Sequence, residues 1–277
     1  MQVKELWIYP IKSCQGIPLK AAEVTLKGLK WDRELMIVDK LGKFLTQRQE
    51  AKLAQIKVEL SQDRLILSFK NNKSLFEFTP SLEGREKPVQ IWNDQTIAID
   101  QGDEVAKWLQ KSLDLEDLRL VRQSPQHIRP IDPNYAQKED EPVSFSDGYP
   151  MLVTNTASLD ELNRRLKENY PQIELATVPM NRFRPNIVVE TDSPFAEDKW
   201  RYISIGLIEF TVIKSCSRCI ITTTDQRTGA RNPQQEPLRT LSQFRNFRGK
   251  ILFGENLVPR KLGTIRLNDL VEVIRTR

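Results

Sequence analysis

The feature that most constrains this chain is the rhythm of its first hundred residues. Short apolar, β-branched segments alternate with turn-forming residues. Segments 3–9, 33–39, 43–48, 56–60, 64–69, 75–78, 89–92 and 96–100 each carry the composition of a strand. Lys40-Leu41-Gly42 joins the second and third as a hairpin. Ser61-Gln62-Asp63, Asn71-Asn72-Lys73 and Asn93-Asp94 break the later ones. Many short strands at even spacing predict a barrel or a sandwich.

The pattern then changes. Val105, Trp108, Leu109 and Leu113 recur at helical spacing behind Asp103, a candidate cap, and 118–121 returns to strand. Residues 123–150 have no period and contain Pro125, Pro130, Pro133, Pro142 and Pro150. So long an irregular stretch is functional or a linker, which places a domain boundary at 122/123. The second half opens with a strand at 151–154. A helix follows in which Ser158 and Glu161 form a capping box and Leu159, Leu162 and Leu166 share a face. Strands are expected at 186–190 and 207–214, and 219–224 reads as extended. A short helix opens at Pro237 and runs through Leu241 and Phe244. Strands at 264–267 and 270–274 follow. The fold class is a β-rich α+β chain with helices on the outside, divided into domains 1–122 and 123–277.

Composition removes several functions. One histidine, His127, and three cysteines, Cys14, Cys216 and Cys219, cannot build a two-Cys two-His, three-His or four-Cys metal site within one chain. The odd, low cysteine count argues against a secreted disulfide scaffold. No apolar run reaches a membrane span's length, and residues 1–10 lack the apolar core of a signal peptide. The expected location is cytoplasmic, without membrane attachment. The net charge of +5 and pI near 9 permit an anionic ligand. There is no basic tail, and no strand interleaves aromatic with basic residues, which argues against nucleic acid.

Cys216-Ser217-Arg218-Cys219 has Cys-x-x-Cys spacing, which has several readings. A thioredoxin-like pair needs a helix N-terminus, yet both flanks favour strand. Half of a zinc site lacks its partners. A lone ligand thiolate on a turn, with Arg218 favouring the anion, suits a soft or high-valent metal. Two core cysteines would conflict with Ser217 and Arg218 between them.

The run Ser215 to Ile220, followed by Thr222-Thr223 and Asp225, resembles the signature of the MOSC domain. The mitochondrial amidoxime-reducing component and its bacterial relatives are the nearest look-alike. Tyr9-Pro10-Ile11-Lys12-Ser13-Cys14, Asp32-Arg33 and Thr46-Gln47-Arg48 resemble the family's N-terminal β-barrel domain. Phe183-Arg184-Pro185-Asn186-Ile187, Glu236-Pro237-Leu238 and Leu252-Phe253-Gly254 resemble the MOSC domain itself. The matches run in order over nearly the whole chain.

The resemblance implies a molybdenum cofactor, with Cys219 as the protein ligand to the metal and Cys216 as a packing neighbour. It places Lys12, Ser13, Arg33, Arg184, Asn186, Ser217 and Arg218 around the pterin and its phosphate. Gly148 and Tyr149 take positions where animal members carry small hydroxylated residues. Asp147 is expected as an acid able to move protons beside the metal. Arg48 is a further candidate that could instead pair with Glu50 or Asp39. Asp225 could approach the site or close the turn before Gly229. The implied reaction is two-electron reduction of small N-hydroxylated compounds, such as amidoximes, hydroxylamines and N-hydroxylated bases. Some bacterial relatives carry a C-terminal ferredoxin-like domain with four cysteines. None follow here, so a separate electron-donor protein, ferredoxin-like or a flavoprotein reductase, is expected. The rival reading is a sulfur carrier holding a persulfide on Cys219.

Overall fold

The computed structural model describes residues 1–69, 72–136, 141–173 and 177–277. Asn71 of one expected turn, and residues 137–140 of the aperiodic stretch, lie outside that set.

The largest sheet has nine strands. Its order is Val271–Thr276, Trp200–Ile205, Ile208–Ser217, Lys250–Pro259, Met151–Asn155, Ile187–Glu190, Gln2–Ile8 and Ile17–Leu19, with Asn246–Phe247 paired beside Lys250–Pro259. The strand nearest the N-terminus therefore lies inside the sheet of the second half, antiparallel to Ile187–Glu190 with Leu6 opposite Ile187. The exchange is mutual, because Gly263–Arg266 pairs with Ala21–Thr25. One core joins the two ends of the sequence. Val3, Leu6, Ile8, Val24 and Trp31 pack with Val153, Ile203, Phe210, Leu257 and Ile265.

The rest of the first half forms a four-stranded sheet (Leu35–Val38, Arg119–Gln123, Asp94–Asp100, Glu86–Ile91) and a three-stranded sheet (Ile56–Ser61, Arg64–Phe69, Asn72–Phe78). The helix Asp103–Leu113 covers them with the periodic face read from the sequence. Val105, Trp108, Leu109 and Leu113 are buried against Leu35, Ile37, Leu65 and Leu120. Asp103 does not cap this helix. Gly102 holds the cap position, and Asp103 and Glu104 sit in the first turn, where negative charge complements the helix dipole.

Three other local expectations change. The second helix is Thr156–Asn169, and Asn155 caps it by accepting from the Ser158 amide at 2.7 Å. Glu161 turns outward to Arg164 and Arg165 instead of closing a capping box. Segment 43–48 makes only isolated bridges before a turn in which the Thr46 hydroxyl donates to Gln49 at 2.6 Å. The residues after Cys219 are not extended. Ile220–Thr223 is a turn of 3-10 helix, because the Thr222 and Thr223 hydroxyls donate back to the carbonyls of Cys219 and Ile220. Two strands that the sequence hides are Trp200–Ile205 and the ten-residue Lys250–Pro259. Among the described residues no helix is long and apolar enough to cross a membrane.

Candidate active site

The two halves meet around a cavity of about 150 Å³. It is lined by Lys12 and Ser13 from the turn after the first strand, by Arg33 and Arg48, and by Asp147, Gly148 and Tyr149. Arg182, Arg184 and Asn186 line it from the second half, together with Cys216, Ser217, Arg218 and Cys219. All the residues singled out from the sequence for this site thus share one lining. Six cationic side chains face it against one lining carboxylate, Asp147, so the cavity favours an anion.

Its backbone is held in an unusual conformation. Ser13 (φ 69), Arg33 (φ 52) and Arg184 (φ 52) all lie in the left-handed region. Each costs about 1–2 kcal/mol for a residue with a side chain. Such positions persist where the surroundings fix them and cluster at binding sites.

Two guanidinium groups in the lining converge on one ring. The Cζ atoms of Arg33 and Arg184 each lie 4.2 Å from the centre of the Tyr9 ring. Arg33 binds Asp32 at 2.5 Å, the Asn186 carboxamide at 3.1 Å and the Arg184 carbonyl at 3.0 Å. Tyr9 donates to the Pro185 carbonyl at 3.1 Å, and its burial pushes the phenol above its ordinary range. Asn186 is fully committed. Its oxygen also accepts from the Leu152 amide at 3.1 Å, and its nitrogen donates to the Trp7 carbonyl at 3.2 Å. It orients the arginine and joins three segments. Ser13 is tied down similarly, its carbonyl accepting from Gln47 at 2.7 Å.

Lys12 is buried beneath the cavity and donates to the Phe145 carbonyl at 2.8 Å and to Asp147 at 2.5 Å. Burial lowers its ammonium to about 8, against the opposing pull of Asp147. Asp147 lies at the rim with its side chain 56% exposed. It also accepts from Arg48 at 3.3 Å and from the Trp92 indole at 3.4 Å. Burial of its surroundings opposes ionisation, but the Lys12 and Arg48 charges outweigh that and hold the carboxyl well below the usual range. In this arrangement Asp147 accepts and carries no proton to give. Arg48 pairs with Asp147 and stacks on Trp92 at 4.5 Å. Asp39 and Glu50 serve their own turns.

The cysteine loop is built differently. Cys219 precedes the 3-10 turn, and its carbonyl accepts from the Thr222 amide at 3.1 Å. Arg218 is anchored backward, donating to the carbonyls of Phe253 at 2.8 Å and Phe183 at 3.0 Å. Burial raises the Cys216 thiol more than the Arg218 charge lowers it, which keeps that thiol protonated. Arg182, not singled out from the sequence, fixes the loop by donating to the Thr223 carbonyl at 3.0 Å and to Asp225 at 3.2 Å. Asp225 closes the turn, accepting from the amides of Arg227 and Thr228 at 2.9 Å. Its spacing two residues before Arg184 was the available signal for Arg182. Gln226, which bonds Gln47 and Arg184, had none.

Five guanidinium groups keep a buried N–H without a partner among the described residues: Arg48 Nη1, Arg182 Nε, Arg184 Nη2 and Arg218 Nη2, and, away from the cavity, Arg122 Nε. Buried donors are normally paired, and four of these five belong to residues that line the same cavity. No three or more His, Cys, Asp or Glu side chains gather as metal ligands among the described residues.

The fold and the cavity define a MOSC-type protein: residues 1–116 match the MOSC N-terminal beta barrel domain and residues 140–272 the MOSC domain. Mitochondrial amidoxime-reducing component 1 of Mus musculus is 33% identical over 98% of this chain and 82% of its own length. The Homo sapiens protein of the same name is 34% identical over the same shares. The chain belongs to the family of the mitochondrial amidoxime-reducing components. Molybdenum cofactor sulfurase of Danio rerio is 33% identical over 90% of this chain but only 31% of its own length.

Proposed function

We propose that this protein is a molybdenum-cofactor-dependent reductase of N-hydroxylated compounds. One observation carries the reading. An electropositive cavity is lined by a cysteine loop and by four guanidinium groups whose buried N–H donors have no partner among the described residues. A phosphate-bearing, thiolate-bound group fits that donor set. With too few protein ligands for a metal among the described residues, the remaining ligands come from the cofactor.

In this reading Cys219 ligates the metal. Arg48, Arg182, Arg184 and Arg218 turn their free N–H groups to the cofactor's anionic and acceptor atoms. Arg33, Asn186 and Tyr9 hold Arg184 in place. When bound, the cofactor supplies two-electron exchange. The net reaction breaks the N–O bond of the substrate, consumes two electrons and two protons, and yields the N–H compound and water. Lys12, its ammonium lowered to about 8 by burial, and solvent at the rim are the proton sources this chain offers, while Asp147 holds Lys12 in position. Substrate enters from a second, open hollow of about 630 Å³, which shares Asp147, Gly148 and Tyr149 with the cavity and is walled by Trp92, Arg129 and Lys214. Electrons come from a separate carrier protein.

The test is elemental analysis of protein expressed in a cofactor-competent host beside its Cys219→Ser variant, with benzamidoxime turnover driven by a small reductant. About one molybdenum per chain in the wild type, lost in the variant, is the expected result. Wild-type protein without molybdenum or pterin sinks the reading. A second reading, a sulfur carrier with a persulfide on Cys219, is favoured by the similarity to molybdenum cofactor sulfurases over 90% of the chain. Persulfide labelling at Cys219 in metal-free protein would establish it instead.

A further inference from the structure

The chain carries 42 cationic and 37 anionic side chains. That surplus has an address. Residues 226–254 hold six cations, Arg227, Arg231, Arg239, Arg245, Arg248 and Lys250, against one carboxylate, Glu236. The rest of the chain balances at 36 of each sign. Glu236 is buried and accepts from the Tyr170 hydroxyl and the Thr240 amide, so it screens nothing outside. The carboxylates that flank the segment also face inward, Asp225 to Arg182 and Glu255 to Arg277. Arg245 is taken by Asp198, and Arg231 by the carbonyls of Gln47 and Arg48. Arg227, Arg239, Arg248 and Lys250 remain exposed, without a carboxylate partner among the described residues.

This surplus frames the cysteine loop. The Ile251 carbonyl accepts from the Arg218 amide at 2.7 Å, and Leu252 lies opposite Ser217 in the sheet. Thr224 bridges to Arg231. Two apolar side chains stand exposed within the basic rim. Phe247, 61% exposed, sits at the hairpin tip with Arg248 against its ring at 5.3 Å, and Ile220, 38% exposed, directly follows Cys219. Apolar contacts inside a charged border are the anatomy of a transient protein interface, where charge sets the encounter rate and the apolar centre fixes the pose.

We propose that the face formed by Arg227, Arg239, Phe247, Arg248 and Lys250 is the docking site for an acidic electron-carrier protein. The inference rests on the reductase reading, which demands two electrons per N–O bond broken and assigns no source for them in this chain. The carrier is oxidised as it delivers them, and the two protons come from solvent. The face lies beside the loop that bears Cys219, so a carrier seated there is next to the site where electrons are used. It shares no residue with the hollow walled by Trp92 and Lys214.

The test uses the cofactor-loaded full chain with reduced plant-type ferredoxin as acidic carrier and reduced methyl viologen as small donor. Arg248→Glu/Lys250→Glu is the variant, with Arg239→Glu as a second. Both lie outside the cavity lining. Ferredoxin should bind the wild type tightly at low salt and lose at least tenfold in affinity by 0.3 M salt. The double variant should raise the KM for ferredoxin at least tenfold and leave kcat with methyl viologen unchanged. Unchanged ferredoxin affinity and KM in the variants would overturn the proposal, and so would a single-stranded oligonucleotide outcompeting ferredoxin for the wild type. Absence of benzamidoxime turnover with methyl viologen speaks against the reductase reading alone, because ferredoxin affinity is measured independently.

Discussion

Two parts of the cavity wall, the Tyr9 cluster and the Cys219 loop, are built to opposite standards. Around Tyr9 the polar groups are largely bonded to one another. Arg33, Asp32, Asn186, Arg184 and Pro185 form a network drawn from both halves of the sheet system that leaves Arg184 Nη2 free among the described residues. Around Cys219 the backbone is fixed by threonine hydroxyls and by Arg182, while the sulfur is left open to the cavity. The contrast separates two tasks. A wall that receives charge must be organised beforehand, because dipoles that have to turn on binding cost affinity. In the proposed reading Cys219 ligates the metal, which requires its sulfur to be free.

The sharpest way to break the contrast is Cys219→Ala. The open loop predicts a change in stability within about 0.5 kcal/mol, as for sites without special contacts, together with loss of molybdenum by at least a hundredfold. Urea unfolding beside elemental analysis reads both. A large loss of stability would mean that the thiol is packed and not poised. Asn186→Ala attacks the Tyr9 cluster and should cost about 2–3 kcal/mol, because it strips the Leu152 amide and Arg33 of a buried acceptor. A shift in the urea midpoint at constant slope reports it.

Lys12 allows a finer test by pH. Its ammonium, lowered by burial to about 8, is charged below that pH in both folded and unfolded chains. Between about 8 and its ordinary 10.5 the unfolded chain binds the extra proton, so this group's contribution to stability rises with pH across that window. Anion affinity moves the other way, because the cavity loses a cation. Phosphate binding, measured calorimetrically, should weaken severalfold from pH 7 to pH 9, and Lys12→Met should flatten the profile. The smallest effect is Tyr9→Phe. It removes one hydrogen bond to the Pro185 carbonyl and keeps the ring beneath both guanidinium groups, for a loss of about 1 kcal/mol in thermal or urea unfolding.

Much of the architecture was legible where one physical signal dominated. The alternation of short strands and the spacing of Val105, Trp108, Leu109 and Leu113 specify their elements directly. The site residues were legible as a set because ordered short motifs resemble one family, although no single one declares a contact. What escaped was decided by tertiary structure. Gly254, Glu255 and Asn256 disguise the centre of the ten-residue strand Lys250–Pro259. Gly254 is required there, since at φ 76 a Cβ would stand 2.6 Å from the Val153 carbonyl oxygen, and Glu255 is buried with Arg277. The stretch after Cys219 is rich in β-branched residues, yet two of its hydroxyls bond back to the chain and coil it. The left-handed turns at Ser13, Arg33 and Arg184 carry no mark in their side chains and are imposed by the groups packed around them.

The strand Gln2–Ile8, held between Ile187–Glu190 and Ile17–Leu19, has a consequence in time. During synthesis it emerges early, yet its neighbour Ile187–Glu190 follows roughly 10–40 s later at ordinary elongation rates. Contacts so distant in sequence close slowly. The turn that carries Lys12 and Ser13 hangs from that waiting strand, and the asparagine that orients Arg33 stands at the start of its late partner. The pocket therefore comes into being as one of the last events of maturation, and a chain halted before residue 190 has no receptacle to fill. Loading of any ligand there reports that the whole chain has folded.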